Sequence, residues 1–492
     1  MRARPARPPG VGAVTSSGAD WETVVGLEIH VQLLTKSKLF SPAPVRFGQP
    51  ANVDVDAVDA GLPGALPVLN EMAVTCALRL GLALQAQIAP RSQFARKHYF
   101  YPDLPKGFQI SQAERPIIEN GTVSVLLEDG SERAIHIERA HLEEDAGKSL
   151  HGEAGTGVDW NRSGTPLLEV VTTPELRSGD EAMRLFRTLR ALVMHLGICD
   201  GNLQEGSMRA DANVSVRRRG EPLGTRVELK NLNSPRFLCD AVEHEAHRQR
   251  ELLLSGAAVT RETRLWDPDR SQSRVMRSKE DAPDYRYMPD PDLPPIVVDD
   301  ALLARTKASL PELPFAKRRR YLDVLGLPES MVTTLVDDDP SLAWLFEGAL
   351  SSWSAQPRVL ANWIVNDLLG IEGGRSLSPA RLAHVVRLVD EGVISGRSGK
   401  ELLREAVQSS DDVGSIVEAR GFRLQKDPAA AEKLQAAIAE VFAAHADQVA
   451  KVLAGKDKVK GFLVGQVLKR LGAGLDPKDV GAAVDAALAA RR

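Results

Sequence analysis

Between residues 25 and 33 the chain alternates without a break. Val25, Leu27, Ile29, Val31 and Leu33 fall on one side, and Gly26, Glu28, His30 and Gln32 on the other. A period of two marks a β-strand with one face in a core, and a one-residue slip would exchange the faces, so the pattern sets both the element and its register. It also projects a carboxylate and an imidazole from the same face. The pattern recurs at 208–217, where Met208, Ala210, Ala212, Val214 and Val216 oppose Arg209, Asp211, Asn213, Ser215 and Arg217. It recurs again where Arg226, Glu228 and Lys230 face away from Val227 and Leu229. Taken one strand at a time, such polar faces are most simply solvated.

Two segments shift that balance. Period two puts His141, Glu143 and Asp145 on one face beside Gly147-Lys148-Ser149, a concentration of negative charge that repels itself without a cation. Glu169 stands among Leu167, Leu168, Val170 and Val171, where a bare carboxylate would cost several kcal/mol to desolvate unless paired or metal-bound. Glu28, His30, Glu143, Glu169 and Asp211 are together hard-cation ligand types, suited to Mg2+ or Mn2+ more than to zinc. Lys97, Lys148, Arg162, Arg209 and Lys230 supply donors for phosphate oxygens, the combination that phosphoryl transfer from ATP requires. No Walker loop accompanies them, since neither Gly147-Lys148-Ser149 nor Gly399-Lys400 has the earlier glycine, so a nucleotide would bind on a sheet.

Length and composition bound the rest. With 492 residues and 43% hydrophobic content, the chain suggests two to four domains with ordinary cores. Its 62 Lys+Arg against 66 Asp+Glu exclude a basic nucleic-acid coat. Residues 1–20 read as a solvated extension. The β-type runs 24–33, 123–128, 134–142, 208–217 and 225–232, interrupted by a helix at 179–196, place a sheet domain over 21–298. Beyond the proline-dense stretch 283–295 the texture turns helical, with helices expected at 341–352, 358–369 and 379–391, giving a helical domain at 299–410 and a helical tail at 411–492. Residues 451–492 carry nine basic and four acidic residues. That excess suits a phosphate-rich partner and equally suits a solvated helix face. Three scattered cysteines, Cys76, Cys199 and Cys239, form no disulfide framework and no cysteine zinc motif. With no membrane-length apolar run and no apolar leader, a cytoplasmic protein is expected.

Six segments in order carry a resemblance: 25–33, 96–107, 141–148, 159–169, 201–209 and 228–234. Together they closely resemble the GatB family, the B subunit of the tRNA-dependent amidotransferase, over nearly the whole chain from Trp21 onward. The resemblance implies an α+β fold: an N-terminal antiparallel sheet cradle related in shape to glutamine synthetase, then an all-helical domain and a tRNA-contacting helical tail. It implies ATP- and Mg2+-dependent phosphorylation of the side-chain carboxylate of misacylated Glu-tRNA(Gln) or Asp-tRNA(Asn). Amidation follows with ammonia from an amidase subunit (A), in a heterotrimer completed by a small subunit (C). Carried over by motif, Glu28, His30, Glu143, Glu169 and Asp211 are the metal ligands. Lys97 and Tyr99 line the site near the terminal adenosine or ammonia, and Glu205, Arg209, Glu228 and Lys230 orient nucleotide and phosphate.

This sequence departs from the family at two places. Many relatives carry Cys-Pro-x-Cys where Asp56-Ala57-Val58-Asp59 stands here, and two isolated carboxylates make a poor zinc site, so a zinc-free member is expected. His98 follows Lys97 where Asn is frequent. Two rival functions fit the sequence less well. A free-standing glutamine-using ligase lacks a nucleophile for releasing ammonia. A non-catalytic tRNA scaffold leaves Glu169 without a reason.

Overall fold

The computed structural model describes residues 20–112, 114–153, 155–278, 284–353, 356–424, 428–453, 459–471 and 477–491. The extension expected at 1–20 lies outside these except for Asp20. The chain divides into two compact units, Met1–Lys317 and Arg318–Arg492.

The first unit is built on one large mixed sheet. Its central strand β1 (Trp21–Gln32) buries Val25, Leu27, Ile29 and Val31 completely or nearly so, as the alternation requires. The helix α1 (Glu71–Ala83) follows, capped by Asn70, whose side chain accepts from the Met72 amide. Short strands β2 (Ala95–His98) and β3 (Phe108–Ser111) come next, then β4 (Ile118–Leu126), β5 (Glu132–Glu144) and β6 (Pro166–Thr172). Helix α2 (Gly179–His195) begins at a Ser178 cap. Strands β7 (Met208–Arg218) and β8 (Val227–Leu232), helix α3 (Pro235–Leu254), and strands β9 (Glu262–Asp267) and β10 (Gln272–Ser278) complete the framework. The strand order is β10-β9-β8-β7-β1-β6-β5-β3-β2, with β4 on β5 as a branch.

One pairing departs from the expected antiparallel sheet: β8 and β9 run parallel. The cause is α3, a crossover helix that the sequence reading missed, as it missed α1. A helix joining neighbouring strands returns the chain in the same direction, which a tight hairpin cannot do. Helices α1, α2 and α3 contact the sheet and contribute to a single core with the apolar sides of the strands, which leaves the row of polar side chains on the other face to line a cavity.

This core reaches past the boundary expected at residue 298. Leu302, Leu303, Leu310 and Leu313 pack against it, so the first unit closes at Lys317.

The second unit begins with helices interrupted by wider π-type turns. Pro357–Asn362 continues as the π-turn Trp363–Asp367, replacing the single helix expected at 358–369. Pro340–Ser352 and Pro379–Asp390 match the helices read from sequence. Their core includes Leu342, Phe346, Leu360, Ile364, Leu382 and Leu403. It extends to Ile416 and Val417 of the helix Val413–Arg420, so the boundary expected after residue 410 precedes a helix that belongs to this core. A separate small core of Ile438, Phe442, Leu463, Val467, Val480 and Val484 holds the terminal helices Pro428–Ala444, Ala446–Leu453, Lys460–Leu471 and Pro477–Ala489.

Candidate functional site

Strand register assembles the site. His30 on β1 lies opposite Arg209 on β7 and Glu169 on β6, and Glu169 lies opposite His141 on β5. Cross-strand partners project to the same face, so Arg209, His30, Glu169 and His141 form one row across four strands. Two residues along β1, Glu28 lies opposite Asp211 and starts a second row. These rows floor a cavity of about 450 Å³ lined also by Lys97, Tyr99, Gln109, Glu143, Asp145, Arg162, Asn213, Arg226, Glu228, Lys230 and Tyr285.

Three side chains converge at the first row, two of its members and Glu143, two residues along β5 from His141. His30 Nε2 stands 3.3 Å from Glu169 Oε2 and 3.5 Å from Glu143 Oε1, and one ligand atom from each residue falls within 4.8 Å of the others. His141 Nε2 approaches the same two carboxylates at 3.8 and 3.9 Å. Ligand atoms that close can surround one ion of the Mg2+ or Mn2+ type, with the two carboxylates supplying its oxygens. The Nδ1 atoms of His30 and His141 are buried without hydrogen-bond partners, which leaves Nε2 as the nitrogen that faces the carboxylates.

Charge in this row is strongly interdependent. Burial pushes the Glu169 carboxyl up, but the hydrogen bond from His30 and the positive fields of His141, His30 and Lys97 outweigh it, so the group is held well below the usual carboxylate range. Burial pulls the His30 imidazole down, yet the bond to Glu169 and the nearby carboxylates leave it above the ordinary histidine value despite Arg209. Glu28 is raised, first by burial and then by the charge of Glu169, against a 2.9 Å hydrogen bond from Asn213.

The five expected metal ligands therefore divide. His30, Glu143 and Glu169 come together, whereas Asp211 is engaged by Lys230 at 2.6 Å and Glu28 by Asn213. Lys230 also reaches Glu228 at 3.0 Å, and Glu228 accepts from Thr263. Asp145 stands between two cations, 3.4 Å from Arg209 and 3.6 Å from Arg162. Arg162 is fixed by donating to the carbonyls of Ala146 and Gly147 at 2.9 and 2.6 Å. The Lys97 ammonium lies over the Tyr285 ring at 4.7 Å and the Tyr99 ring at 5.8 Å. Burial and the surrounding carboxylates hold Tyr99 as a phenol, and its hydroxyl donates to Gln109.

Two expected residues lie elsewhere. Lys148 and Glu205 line a neighbouring groove of about 550 Å³, which shares Arg162 with the cavity. Lys148 opens a hairpin that carries it away from β5, and Glu205 sits on the exposed turn before β7. The sequence reading left out His141 as a ligand, and Asp145 and Asn213 as site members, although all three share the period-two faces of Glu143 and Asp211. Tyr285 carried no pattern of its own.

Glu143 and its neighbour Glu144 show how strictly the strand sorts its side chains. Glu143 faces the cavity, while Glu144 is buried with Lys106 at 2.5 Å and accepts from the Ile110 amide. The carboxylates at Asp56 and Asp59 are not alike either. Asp59 is buried against the ammonium of Lys38 at 2.9 Å, so the pair is not an isolated one.

In the terminal helices Lys460 pairs with Asp485 at 2.6 Å and Arg470 with Glu440 at 2.5 Å, which offsets part of the basic excess. Lys456 and Lys458, two of the nine basic residues counted in 451–492, lie outside the described residues.

Comparison with known proteins matches residues 23–304 to a family described as the GatB/GatE catalytic domain, and residues 345–488 to one described as the GatB domain. The B subunit of the aspartyl/glutamyl-tRNA(Asn/Gln) amidotransferase of Nitrosococcus oceani is 48% identical over 459 residues, covering 91% of this chain and 95% of its own. The proteins of that name from Anaeromyxobacter dehalogenans, 48% identical over 467 residues (92% and 96% covered), and Rhizobium etli, 47% over 491 (96% of each), are similar in the same way.

Proposed function

This chain belongs to the GatB family, the B subunits of the aspartyl/glutamyl-tRNA(Asn/Gln) amidotransferase, and from that premise we propose that its cavity performs the ATP-dependent activation step. The side-chain carboxylate of Glu-tRNA(Gln) or Asp-tRNA(Asn) is phosphorylated by ATP, and ammonia then displaces phosphate to give the amide. The observation that carries this reading is the convergence of His30, Glu143 and Glu169 under a rim of Lys97, Arg162, Arg209 and Lys230. A scaffold that only held tRNA would have no use for a carboxylate kept ionised in that setting.

His30, Glu143 and Glu169, with His141 beside them, would hold Mg2+. The two carboxylates in this set fit it, and the ion when bound would neutralise charge on the transferring phosphoryl group. The chain's own groups do the positioning. Arg209 and Arg162, tethered through Asp145, present guanidinium donors to phosphate oxygens, and Lys230 holds Asp211 and Glu228 in a fixed arrangement. Tyr99 keeps its proton and serves as a donor rather than a base.

Ammonia has to come from another chain. Burial pushes the thiols of Cys76 and Cys199 up to about 11 and about 12, and Cys239 is raised as well, so no cysteine is activated to attack glutamine. An amidase subunit, with a small third subunit, is the source in this reading, in the cytoplasm. No helix among the described residues is long and apolar enough to cross a membrane.

The test is ADP release by the assembly reconstituted with its amidase and small subunits. Release that requires misacylated tRNA supports the reading. Glutamine turnover without tRNA-dependent ADP release overturns it.

A further inference from the structure

The Lys38 side chain is fully buried, and its ammonium is surrounded by acceptors: the Asp54 carbonyl at 2.6 Å, Asp59 Oδ2 at 2.9 Å and the Trp160 carbonyl at 3.4 Å. Asp59 in turn accepts from the Ser41 hydroxyl at 3.1 Å and the Asp56 amide at 2.9 Å, and its own carbonyl accepts from the Ser163 hydroxyl at 3.3 Å. A buried ion pair is not in itself a stability device, because desolvation consumes much of the attraction. Its placement is informative.

Both residues contact the turn that carries Arg162. The Lys38 ammonium donates to the Trp160 carbonyl, the main-chain carbonyl of Asp59 accepts from Ser163, and the Leu39 amide donates to Gly164 at 2.8 Å. On the opposite side, the Gly164 amide donates to the Asp145 carbonyl and the Asp145 amide to Thr165, both at 2.9 Å. Gly164 has φ +81°, and a Cβ there would come within 2.6 Å of Asp59 Oδ1, so the carboxylate leaves room in the turn for glycine alone. Arg162 leaves this clamped turn to line the cavity.

We propose that Lys38, acting with Asp59, is a positioning residue that sets Arg162 for the phosphate of the nucleotide. This role rests on the function proposed above. It makes a claim that a stability role does not: the effect of the pair on nucleotide binding passes through Arg162.

The experiment is a mutant cycle in the reconstituted assembly, reading KM for ATP, kcat and Tm. The variants are Arg162→Ala, Lys38→Met/Asp59→Leu, and the combination of all three substitutions. Removing both charges leaves no unpaired buried ion, so Tm should remain near wild type. KM for ATP should rise about tenfold with little change in kcat, as expected for a displaced binding group. Adding Arg162→Ala to the charge-free pair should raise KM no further than Arg162→Ala alone. Asp59→Asn, which keeps a hydrogen-bonding side chain, is read by the same cycle if the double variant does not fold. A wild-type KM in the charge-free variant, or effects that multiply with Arg162→Ala, overturns the proposal. Absence of ATP turnover in the wild-type assembly overturns instead the functional reading beneath it.

Discussion

His30 and Glu169 face each other across adjacent antiparallel strands, with Nε2 and Oε2 3.3 Å apart. The pairing explains how an ionised carboxylate persists inside an apolar run. It also ties the charge state of one residue to the presence of the other, so replacing either changes both.

Glu143→Gln should abolish amidation while leaving the fold and tRNA affinity close to wild type. The amide keeps the volume but removes a charge from the convergent group, so the loss should exceed about 100-fold in kcat. Amide formation on misacylated tRNA in the reconstituted assembly is the measurement. Turnover near wild type would make Glu143 an ordinary strand residue.

His141→Asn tests a residue that the sequence places beside Glu143 but not among the expected ligands. Its Nε2 lies 3.8 and 3.9 Å from the two carboxylates, farther than that of His30. The substitution should therefore raise the Mg2+ concentration giving half-maximal activity by less than His30→Asn does. A reversed ranking would show that His141 is the principal nitrogen.

Activity should vanish when Mg2+ is withheld and survive a zinc-selective chelator, and purified protein should hold far less than one zinc per chain. The paired carboxylates of Glu143 and Glu169 are the reason for the first expectation. The buried Lys38 ammonium beside Asp59 is the reason for the last, since it already neutralises that carboxylate. One zinc per chain by elemental analysis would contradict it.

Asp337 supplies a pH signature in the second unit. Burial raises its carboxyl from the usual 3.8 to about 6, with Arg318 opposing and Asp338 adding to the shift. The folded chain then binds more protons than the unfolded chain between these values, so this group takes away stability as pH rises through the window. The Tm of Asp337→Asn relative to wild type should become more favourable between pH 4.5 and 7. A difference independent of pH would rule the titration out.

Truncation at residue 424 should weaken tRNA binding and lower its salt dependence while ATP binding persists. The cut leaves Ile416 and Val417 in the second core, which a cut at 410 would disturb. A chain that neutralises fewer phosphates releases fewer counterions on binding, so the slope of log affinity against log salt should flatten. An unchanged slope together with failed assembly of the complex would make the tail a protein-binding element.

Much of the cavity was legible because alternation sorts side chains by face before any neighbour is known. Glu28, His30, Glu143, Glu169, Arg209, Asp211, Glu228 and Lys230 were all found that way or through motifs that share it, and all line the cavity. Alternation does not say which strands are neighbours or how far each is shifted. Register separates His30, Glu143 and Glu169 from Asp211, and a turn sends Lys148 into the adjoining groove. The crossover α3 escaped notice for a related reason. Its buried stripe of Leu238, Ala241, Val242 and Ala246 is interrupted by buried Glu245, which accepts from Arg248, and by buried Gln249, whose Nε2 donates to the Val214 carbonyl. A helical period with polar members looks solvated until their partners are located.

The opposed directions of Glu143 and Glu144 place a constraint on how this protein can vary. Loss or gain of one residue inside Glu132–Glu144 would turn the carboxylate now committed to Lys106 toward the cavity and withdraw the other. Such a change would fail twice, once in chemistry and once in packing, and no compensating substitution at one position could repair both. Length changes in this protein are therefore expected to accumulate in the turns between strands, while the strands that floor the cavity keep a fixed count of residues.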